Sequence, residues 1–272
     1  MKYTPWDGAI LVPIYKEYLE KDELVSVGQL AKVMQHRKIV VVCPDGLEAP
    51  KQVAHWEVER FDPEYFNGID GYNNLMLSSG FYRRFQQYQD ILIHQLDCLV
   101  FRDDLPKWSA KGFSYVAPPW LGKFWNDPKL GLWRVGNGGF SLRRVSSALK
   151  VLGMRVPKET MKTAVERASR TYVDPKNSTN HYRTLRLHSD AEFSDVTVEE
   201  DLRHYPLNED LFWSFEAPLL DPAFSIPTGK DALSFAFEKA PRWCYRKNWW
   251  RLPMGCHAWA KEDRAFWEKI LR

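Results

Sequence analysis

Four short segments of this sequence bring together side chains that could bind a metal, take a proton or approach a ligand closely. They lie at 94–97, 136–139, 208–210 and 253–259. Each segment also has an ordinary structural explanation, so their order along the chain is more informative than any one of them.

Asp97 is an acid midway along the long apolar run 90–101, which is predicted to be a strand. Burying an unpaired carboxylate in a sheet is costly, so Asp97 needs a partner or lies where the strand opens into a cleft. Ligands of open α/β sheets bind just beyond the carboxyl ends of the strands. Asp97 is therefore either a structural ion-pair partner or an oxygen ligand for Mg²⁺ or Mn²⁺ bridging a diphosphate.

The segment 135–143 contains three glycines within four residues, with Asn137 between the first two. Glycine tolerates positive φ and lets backbone N–H groups approach a ligand. The spacing matches neither a dinucleotide-binding fingerprint nor a P-loop. The segment is thus either a plain hairpin turn or part of the wall around a ligand.

Two further segments offer proton-transfer or ligating groups. Glu209 and Asp210 follow Asn208 at the start of an apolar helical stretch. The helix dipole alone favours acids there, and the functional alternative is a general base held at the helix start. His257 lies two positions after Gly255 in an aromatic neighbourhood, where a lone histidine is more often structural than functional.

These segments must be positioned by elements that alternate in the first half of the chain. That alternation predicts a parallel sheet wound by crossover helices. We predict strands at 9–15, 39–43, 58–61, 90–101, 114–120 and 232–238. Helices are predicted at 18–34, 72–88 with a break at Gly80, 144–152, 208–215 and 260–271. The predicted fold class is α/β in a single domain, with a mostly parallel central sheet flanked by helices and an irregular second half.

Composition excludes several classes of protein. Lys and Arg number 38 against 35 Asp and Glu, a net charge of +3 that argues against a general nucleic-acid binder. No apolar run reaches the ~18 residues that cross a bilayer, and the first residues lack a signal-peptide core. The four cysteines show no metal-ligand spacing. We therefore expect a cytoplasmic protein with reduced cysteines.

The order of the segments resembles that of the GT-A nucleotide-sugar glycosyltransferases. The resemblance covers nearly the whole chain and is strongest to a bacterial family of uncharacterised glycosyltransferase-like domains. The matching segments are 72–76, 93–97, 117–120, 135–143 and 255–257. The glycine-rich segment 135–143 is the most specific of these.

The resemblance implies a metal and donor site. Asp97 would be the last acid of the DxD metal-binding motif, with Gln95 standing where the first acid is expected. His257 would match the late histidine that some members use as a second metal ligand for Mn²⁺ or Mg²⁺. The residues around the nucleotide sugar would be Pro13, Tyr15, Asp45, Gln95 and Asp97.

The resemblance also implies a catalytic and acceptor side. Asp210 would be the base of inverting members, and Glu209 would contact the acceptor. The residues that bind the sugar or acceptor would be Trp120, Asn137, Gly138 and Gly139.

The expected function is transfer of a sugar from a nucleotide-sugar donor, a UDP-sugar, to a glycan or lipid-linked hydroxyl in bacterial surface polysaccharide synthesis. Residues 1–120 would bind the donor and 121–272 the acceptor. The alternatives are a sugar nucleotidyltransferase and a non-catalytic carbohydrate-binding module. The basic, aromatic run 242–251 would either contact an anionic membrane or cover the donor phosphates.

Overall fold

The computed structural model describes residues 5–122, 131–157, 193–203 and 205–271. The strands are β1 (Gly8–Pro13), β2 (Lys38–Pro44), β3 (Glu57–Phe61), β4 (Asp90–His94), β5 (Leu99–Val100), β6 (Tyr115–Val116), β7 (Pro119–Leu121), β8 (Leu132–Val135), β9 (Phe140–Arg144), β10 (Arg155–Pro157), β11 (Phe193–Thr197), β12 (Ala236–Phe237) and β13 (Gly255–Cys256).

The α-helices are α1 (Lys21–Val33), α2 (Gly68–Met76), α3 (Ser79–Arg84), α4 (Leu105–Ser109), α5 (Val145–Leu152), α6 (Val198–Leu202), α7 (Glu209–Leu211), α8 (Ala217–Leu220), α9 (Gly229–Ala232), α10 (Pro241–Lys247) and α11 (Arg264–Leu271). A π-helical turn (Phe212–Glu216) joins α7 to α8, and short 3₁₀ turns lie at Lys51–Val53 and Pro63–Phe66. Among the described residues, none of the helices combines the length and apolarity needed to cross a bilayer.

The described residues form a central six-stranded sheet in the order β3-β2-β1-β4-β9-β6. Strands β1 to β4 pair in parallel, whereas β9 runs antiparallel to both of its neighbours. The predicted α/β fold with a mostly parallel central sheet flanked by helices is confirmed.

The sheet is buried on both faces because consecutive apolar residues fill β1 and the middle of β2 and β4. In β1, Ala9 and Leu11 pack into the core on one face, while Ile10 and Val12 pack into the core on the other. All four side chains are fully buried. Continuous apolar strands of this kind are typical of parallel sheets covered by helices on both sides.

Two predicted strands are shorter than expected. The predicted strand 90–101 leaves the central sheet after His94, and Leu99–Val100 pairs instead with β13 in a separate three-stranded sheet. The predicted strand 114–120 divides into β6 and β7, which belong to different sheets. Pro118 and Pro119 have no backbone N–H to donate, so the pairing of β6 within the central sheet ends before them and Pro119 begins β7.

Three other boundaries differ from the prediction. The helix predicted at 72–88 with a break at Gly80 is indeed two helices, but the break falls at 77–78, where Ser78 caps the second helix by accepting a hydrogen bond from the N–H of Gly80 at 3.1 Å. The strand predicted at 232–238 is reduced to β12, since helix α9 occupies the residues before it. The closing helix begins at Arg264 rather than at 260.

Candidate functional site

A cleft of about 770 Å³ opens at one edge of the central sheet. The carboxyl ends of β1 and β4 reach this edge because the two strands are parallel. The amino end of β9 reaches the same edge because β9 is antiparallel to β4. The direction of β9 therefore brings the glycine-rich loop before it, 136–139, next to the turn after β4, 95–98.

Ten of the predicted site residues line this cleft. They are Pro13, Tyr15, Gln95, Asp97, Asn137, Gly138, Gly139, Glu209, Asp210 and His257. Residues that are 244 positions apart in the sequence therefore meet in one pocket. Tyr65, Phe66, Tyr72 and Ile69 add an apolar and aromatic wall that the sequence argument did not include.

Asp45 and Trp120 do not line the cleft. Asp45 is exposed after β2, where its N–H donates to the carbonyl of Phe61 at 2.8 Å. Trp120 stacks on Phe215, with ring centroids 5.8 Å apart and an interplanar angle of 11°. A Cβ on Gly136 would overlap the Trp120 ring, so this indole packs against the back of the glycine loop.

On one wall of the cleft, His257 lies between two carboxylates. Its Nε2 is 3.3 Å from Oδ1 of Asp97, and its Nδ1 is 3.6 Å from Oε1 of Glu238. The Asp97 side chain is half exposed to the cleft, whereas the His257 and Glu238 side chains are only 13% and 10% exposed. This arrangement presents one carboxylate to a ligand and keeps its partners inside the protein.

Nearby charges and burial shift the pKa values of His257 and Asp97 in opposite directions. Burial by itself would lower the pKa of His257, but the two facing carboxylates outweigh it and raise that pKa to about 10. Burial would likewise raise the pKa of Asp97, and the hydrogen bond and charge of His257 bring it below its ordinary value instead. Without a bound cation, the imidazole is therefore protonated at neutral pH and the carboxylate is ionised.

Asp97, Cys98 and His257 are a group among the described residues whose potential ligand atoms lie within 4.8 Å of one another. The Cys98 thiol is buried and donates to the carbonyl of Gly139 at 3.2 Å. Burial and the charge of Asp97 raise the pKa of this thiol well above its ordinary value. Since the thiolate is the metal-ligating form, Asp97 and His257 are the better candidates for ligands.

The glycine loop fits closely against both walls. A Cβ on Gly138 would overlap Oε1 of Glu209, and one on Gly139 would overlap Nε2 of His257 and lie 2.5 Å from Oε1 of Gln95. The positive φ of the loop falls on Asn137, at 76°, and not on a glycine. Glycine is therefore required here for close approach of side chains to the backbone.

Asp210 and Glu209 have different environments although they are adjacent. Oδ2 of Asp210 accepts a hydrogen bond from the N–H of Asn137 at 2.9 Å. Burial and the nearby charge of Glu209 raise the pKa of Asp210 to about 7, against the lowering effect of the Asn137 N–H. A carboxyl group with a pKa near neutrality can take or give a proton under ordinary conditions.

Glu209 is 3% exposed and forms an ion pair with Arg143, which is 2% exposed; Nη2 and Oε1 are 2.8 Å apart. The Arg143 guanidinium also donates to Oγ of Ser141 at 2.9 Å and to the Tyr82 hydroxyl at 3.0 Å. One oxygen of Glu209, Oε2, has no hydrogen-bond partner among the described residues. The ion pair with Arg143 therefore connects Glu209 to strand β9 of the central sheet.

The start of α7 is held by α2. Oδ1 of Asn73 accepts the N–H of Glu209 at 3.1 Å, a role that the side chain of Asn208, the N-cap residue, does not fill. The helix continues into the π-helical turn Phe212–Glu216. π-Helical turns are rare in proteins overall, and those that do occur frequently lie at functional sites.

Sequence reasoning missed Arg143 and Glu238. Arg143 lies one position from the exposed end of a buried strand, and a charged residue within the run 140–143 was a signal for a buried partner. Glu238 directly follows the apolar strand β12 and accepts a hydrogen bond from Nδ2 of Asn137. The acid after that apolar run was a comparable signal.

The fold and the cleft define an α/β protein with a polar, ligand-sized site at the carboxyl edge of its sheet. The chain belongs to the family described as "Protein of unknown function (DUF5672)", whose model matches residues 55–257. Comparison with curated protein sequences gives no match.

Three solved structures are similar to the chain. Mouse xyloside xylosyltransferase 1 in its apo form is 12% identical, over 93% of this chain and 98% of that one, with a TM-score of 0.45. The galactosyltransferase LgtC, in complex with donor and acceptor sugar analogs, is 12% identical over 92% and 86%, with a TM-score of 0.44. The apo-form glycosyltransferase GlyE of Streptococcus pneumoniae TIGR4 is 11% identical over 93% and 54%, with a TM-score of 0.41.

Proposed function

We propose that this protein is a glycosyltransferase that moves a sugar from a nucleotide-sugar donor, a UDP-sugar, to a hydroxyl acceptor. The observation that carries the proposal is the presence of two different carboxyl groups in one cleft. Asp210 is a carboxyl group with a pKa of about 7, and Asp97 is an ionised, half-exposed carboxylate paired with His257. Transfer from a nucleotide sugar needs both a base and a site for the leaving diphosphate.

The proposed reaction is a single displacement with inversion. The acceptor oxygen forms a bond to the anomeric carbon while the bond from that carbon to the donor diphosphate breaks. The acceptor proton passes to Asp210, and the nucleoside diphosphate leaves with the bonding electrons. The Asn137 N–H holds the Asp210 carboxylate in place, and a pKa of about 7 gives it useful basicity while much of it is ionised.

Asp97 and His257 are the residues that would hold a divalent cation, Mn²⁺ or Mg²⁺. Their ligand atoms face one another at 3.3 Å, and Glu238 lies on the far nitrogen of the imidazole. A carboxylate behind a ligating histidine is a usual feature of metal sites because it orients the ring. The cation would supply positive charge to the departing diphosphate. Gln95, in place of a further acid, lines the same cleft and offers an amide oxygen.

We assign the donor to the half of the chain at 1–120 and the acceptor to the half at 121–272. Pro13 and Tyr15 at the end of β1 would contact the nucleotide. Residues 137–139 of the glycine loop would contact the transferred sugar, since they line the cleft beside the proposed base, Asp210. The acceptor would be a glycan or lipid-linked hydroxyl in bacterial surface polysaccharide synthesis.

A cytoplasmic location is part of the proposal. The four cysteines, Cys43, Cys98, Cys244 and Cys256, are buried and free of disulfides. A reducing compartment keeps thiols in this state.

The proposal is tested by incubating the protein with a panel of nucleotide sugars and Mn²⁺ and measuring the nucleotide products. Release of nucleoside diphosphate that is lost in Asp210→Asn supports glycosyl transfer. In a parallel incubation with a nucleoside triphosphate and a sugar 1-phosphate, formation of a nucleotide sugar with release of pyrophosphate would identify a sugar nucleotidyltransferase instead. Binding of glycans with no turnover of any donor would favour a carbohydrate-binding module.

A further inference from the structure

Two adjacent tryptophans project from the surface directly after helix α10. Trp249 is 77% exposed and Trp250 is 64% exposed. Large apolar side chains are ordinarily removed from water, and exposed ones in a contiguous patch commonly mark a surface that meets a partner. We refer to residues 246–251 as the tryptophan loop.

The backbone of the tryptophan loop holds both rings in this exposed position. Trp249 and Trp250 have φ of 58° and 54°, a left-handed conformation that bulky residues rarely adopt. The N–H of Trp250 donates to the carbonyl of Tyr245 at 2.9 Å, and Nδ2 of Asn248 donates to the carbonyl of Arg251 at 2.7 Å. The loop is therefore a defined structure that presents two indoles.

The base of the loop is anchored in the protein core. Cys244 is buried, and the ring of Tyr245 packs against that of Phe266 with centroids 5.7 Å apart. From residue 246 onward the chain turns to the surface, and Trp249 and Trp250 lie exposed there. A loop whose base is packed in the core and whose apolar rings are exposed is suited to placing those rings in a less polar environment than water.

The charges of the tryptophan loop are all positive. Arg246, Lys247 and Arg251 are exposed, and the segment 241–251 contains no acid. Lys247 lies 5.4 Å from the centroid of the Trp243 ring. Indole rings prefer the boundary between lipid headgroups and acyl chains, while Lys and Arg side chains reach anionic headgroups.

We propose that the tryptophan loop docks on the surface of an anionic lipid bilayer, with Trp249 and Trp250 in the headgroup boundary and the three cations on the phosphates. The other hypothesis, a lid over donor phosphates, finds less support because residues 242–251, all of them described, do not line the cleft. Trp250 and His257 are seven positions apart, so their Cα atoms lie at most roughly 25 Å apart. A membrane held by the loop is thus close to the cleft, yet the docking does not depend on the proposed glycosyl transfer.

Vesicle co-sedimentation of the full chain without donor or metal tests the docking directly. The probes are vesicles of phosphatidylcholine alone and vesicles of equal parts phosphatidylcholine and phosphatidylglycerol. The parent should bind the anionic vesicles and lose affinity as salt is raised, because screening acts on exposed charges. Replacing both tryptophans by Ser should lower the partition coefficient at least about tenfold. Replacing the three cations by Gln should lower it by roughly fivefold for each charge removed.

Two matched controls separate the loop from general effects. Tyr18→Ser removes another ring that is 65% exposed with a lysine beside it, and it should leave binding unchanged. A variant with Gln at Lys51, Arg83 and Lys107, three exposed cations elsewhere, has the same net charge as the loop variant and should bind nearly as well as the parent.

A second measurement reads the indoles of the folded parent directly and compares them with those of the variant. Anionic vesicles with brominated acyl chains should quench part of the tryptophan fluorescence, and the quenched part should be missing in the double Ser variant. The docking is overturned if the parent does not sediment with anionic vesicles, or if the double Ser variant sediments equally well. It is also overturned if UDP, and not lipid, shields Trp249 and Trp250 from an aqueous quencher.

Discussion

The backbone N–H of Asn137 donates to Oδ2 of Asp210 at 2.9 Å, across 73 positions of sequence. This hydrogen bond joins the glycine loop before β9 to the first turn of α7. Asn137 adopts a φ of 76° in making it, and its side chain donates at the same time to Glu238. The proposed base is therefore positioned by the same loop that is proposed to contact the sugar.

Asp210→Asn should reduce kcat by at least about a hundredfold while leaving donor affinity nearly unchanged. The amide keeps the shape and the acceptor oxygen for the Asn137 N–H but cannot take a proton. In the parent, activity should rise with pH around a midpoint of about 7, since the ionised form is the active one. Steady-state kinetics over a pH series checks both expectations. Near-parental turnover of the Asn variant would assign Asp210 a purely structural role.

Asp210→Asn lowers kcat, but as pH rises it should increase the free energy of unfolding relative to that of the parent. The folded-state pKa of Asp210 is raised from 3.8 to about 7, so its contribution to the free energy of unfolding is greatest at low pH and is lost as pH rises to about 7. Asp210→Asn should therefore gain stability relative to the parent between about pH 4 and pH 7 and show a constant difference above that. Urea unfolding of both proteins across this range measures the difference, and a pH-independent gap would contradict the raised pKa.

Asp97→Ala should abolish Mn²⁺-dependent binding of the donor, as measured by calorimetry. Replacing His257 by Ala should weaken the metal less, because a carboxylate oxygen is the better match for Mg²⁺ or Mn²⁺. If the Asp97 variant binds donor and Mn²⁺ as tightly as the parent does, Asp97 serves only as the partner of His257.

Metal binding should also release a proton from His257. The facing carboxylates outweigh burial and raise the pKa of this imidazole to about 10, so it is protonated at neutral pH and must lose the proton to act as a ligand. Mn²⁺ affinity should therefore increase with pH up to about 10. Calorimetry in buffers with different ionisation enthalpies counts the protons, and His257→Ala is the matched control that should release none. The same proton count in both proteins would exclude His257 as a ligand.

Gly139→Val should lower activity far more than it lowers Tm. The added side chain would displace the ends of the His257 and Gln95 side chains, which line the cleft. It would not impose a strained φ. Gly28→Ala is the matched control: it lies within α1 with nothing near its added Cβ, and should stabilise the protein by roughly 0.5–1 kcal/mol with activity unchanged. Proportionate losses of activity and Tm in Gly139→Val would indicate a plain structural turn.

Arg143→Met should destabilise the protein by about 3–5 kcal/mol because it leaves the buried Glu209 carboxylate without its partner. The double variant Arg143→Met with Glu209→Gln removes that uncompensated charge and should recover part of the loss. Denaturant unfolding of the two single variants and the double variant gives the coupling energy. Additive losses would show that the two side chains do not stabilise one another.

Local sequence patterns determined the central elements of this protein. Runs such as Ile39–Cys43 are apolar at every position, and that pattern needs no knowledge of partners to predict a strand buried on both faces. The resemblance in the order of the polar segments suggested the candidate residues, and those that follow β1 and β4 lie at one edge because parallel strands end on the same side. Ten of those residues do line the cleft.

Only the tertiary structure decided where the polar groups pair and which elements stop short. The antiparallel direction of β9, which brings the glycine loop to the cleft, depends on pairing with β4 about 50 residues earlier in the chain. Arg143 pairs with Glu209, and Glu238 contacts His257 and Asn137. These residues lie on different elements, so no local pattern in the sequence indicates that they pair. The stacking of Trp120 on Phe215 removes that indole from the cleft for the same reason. Periodicity reports burial along one element, whereas ion pairs and ring contacts between distant elements arise only when the elements pack together.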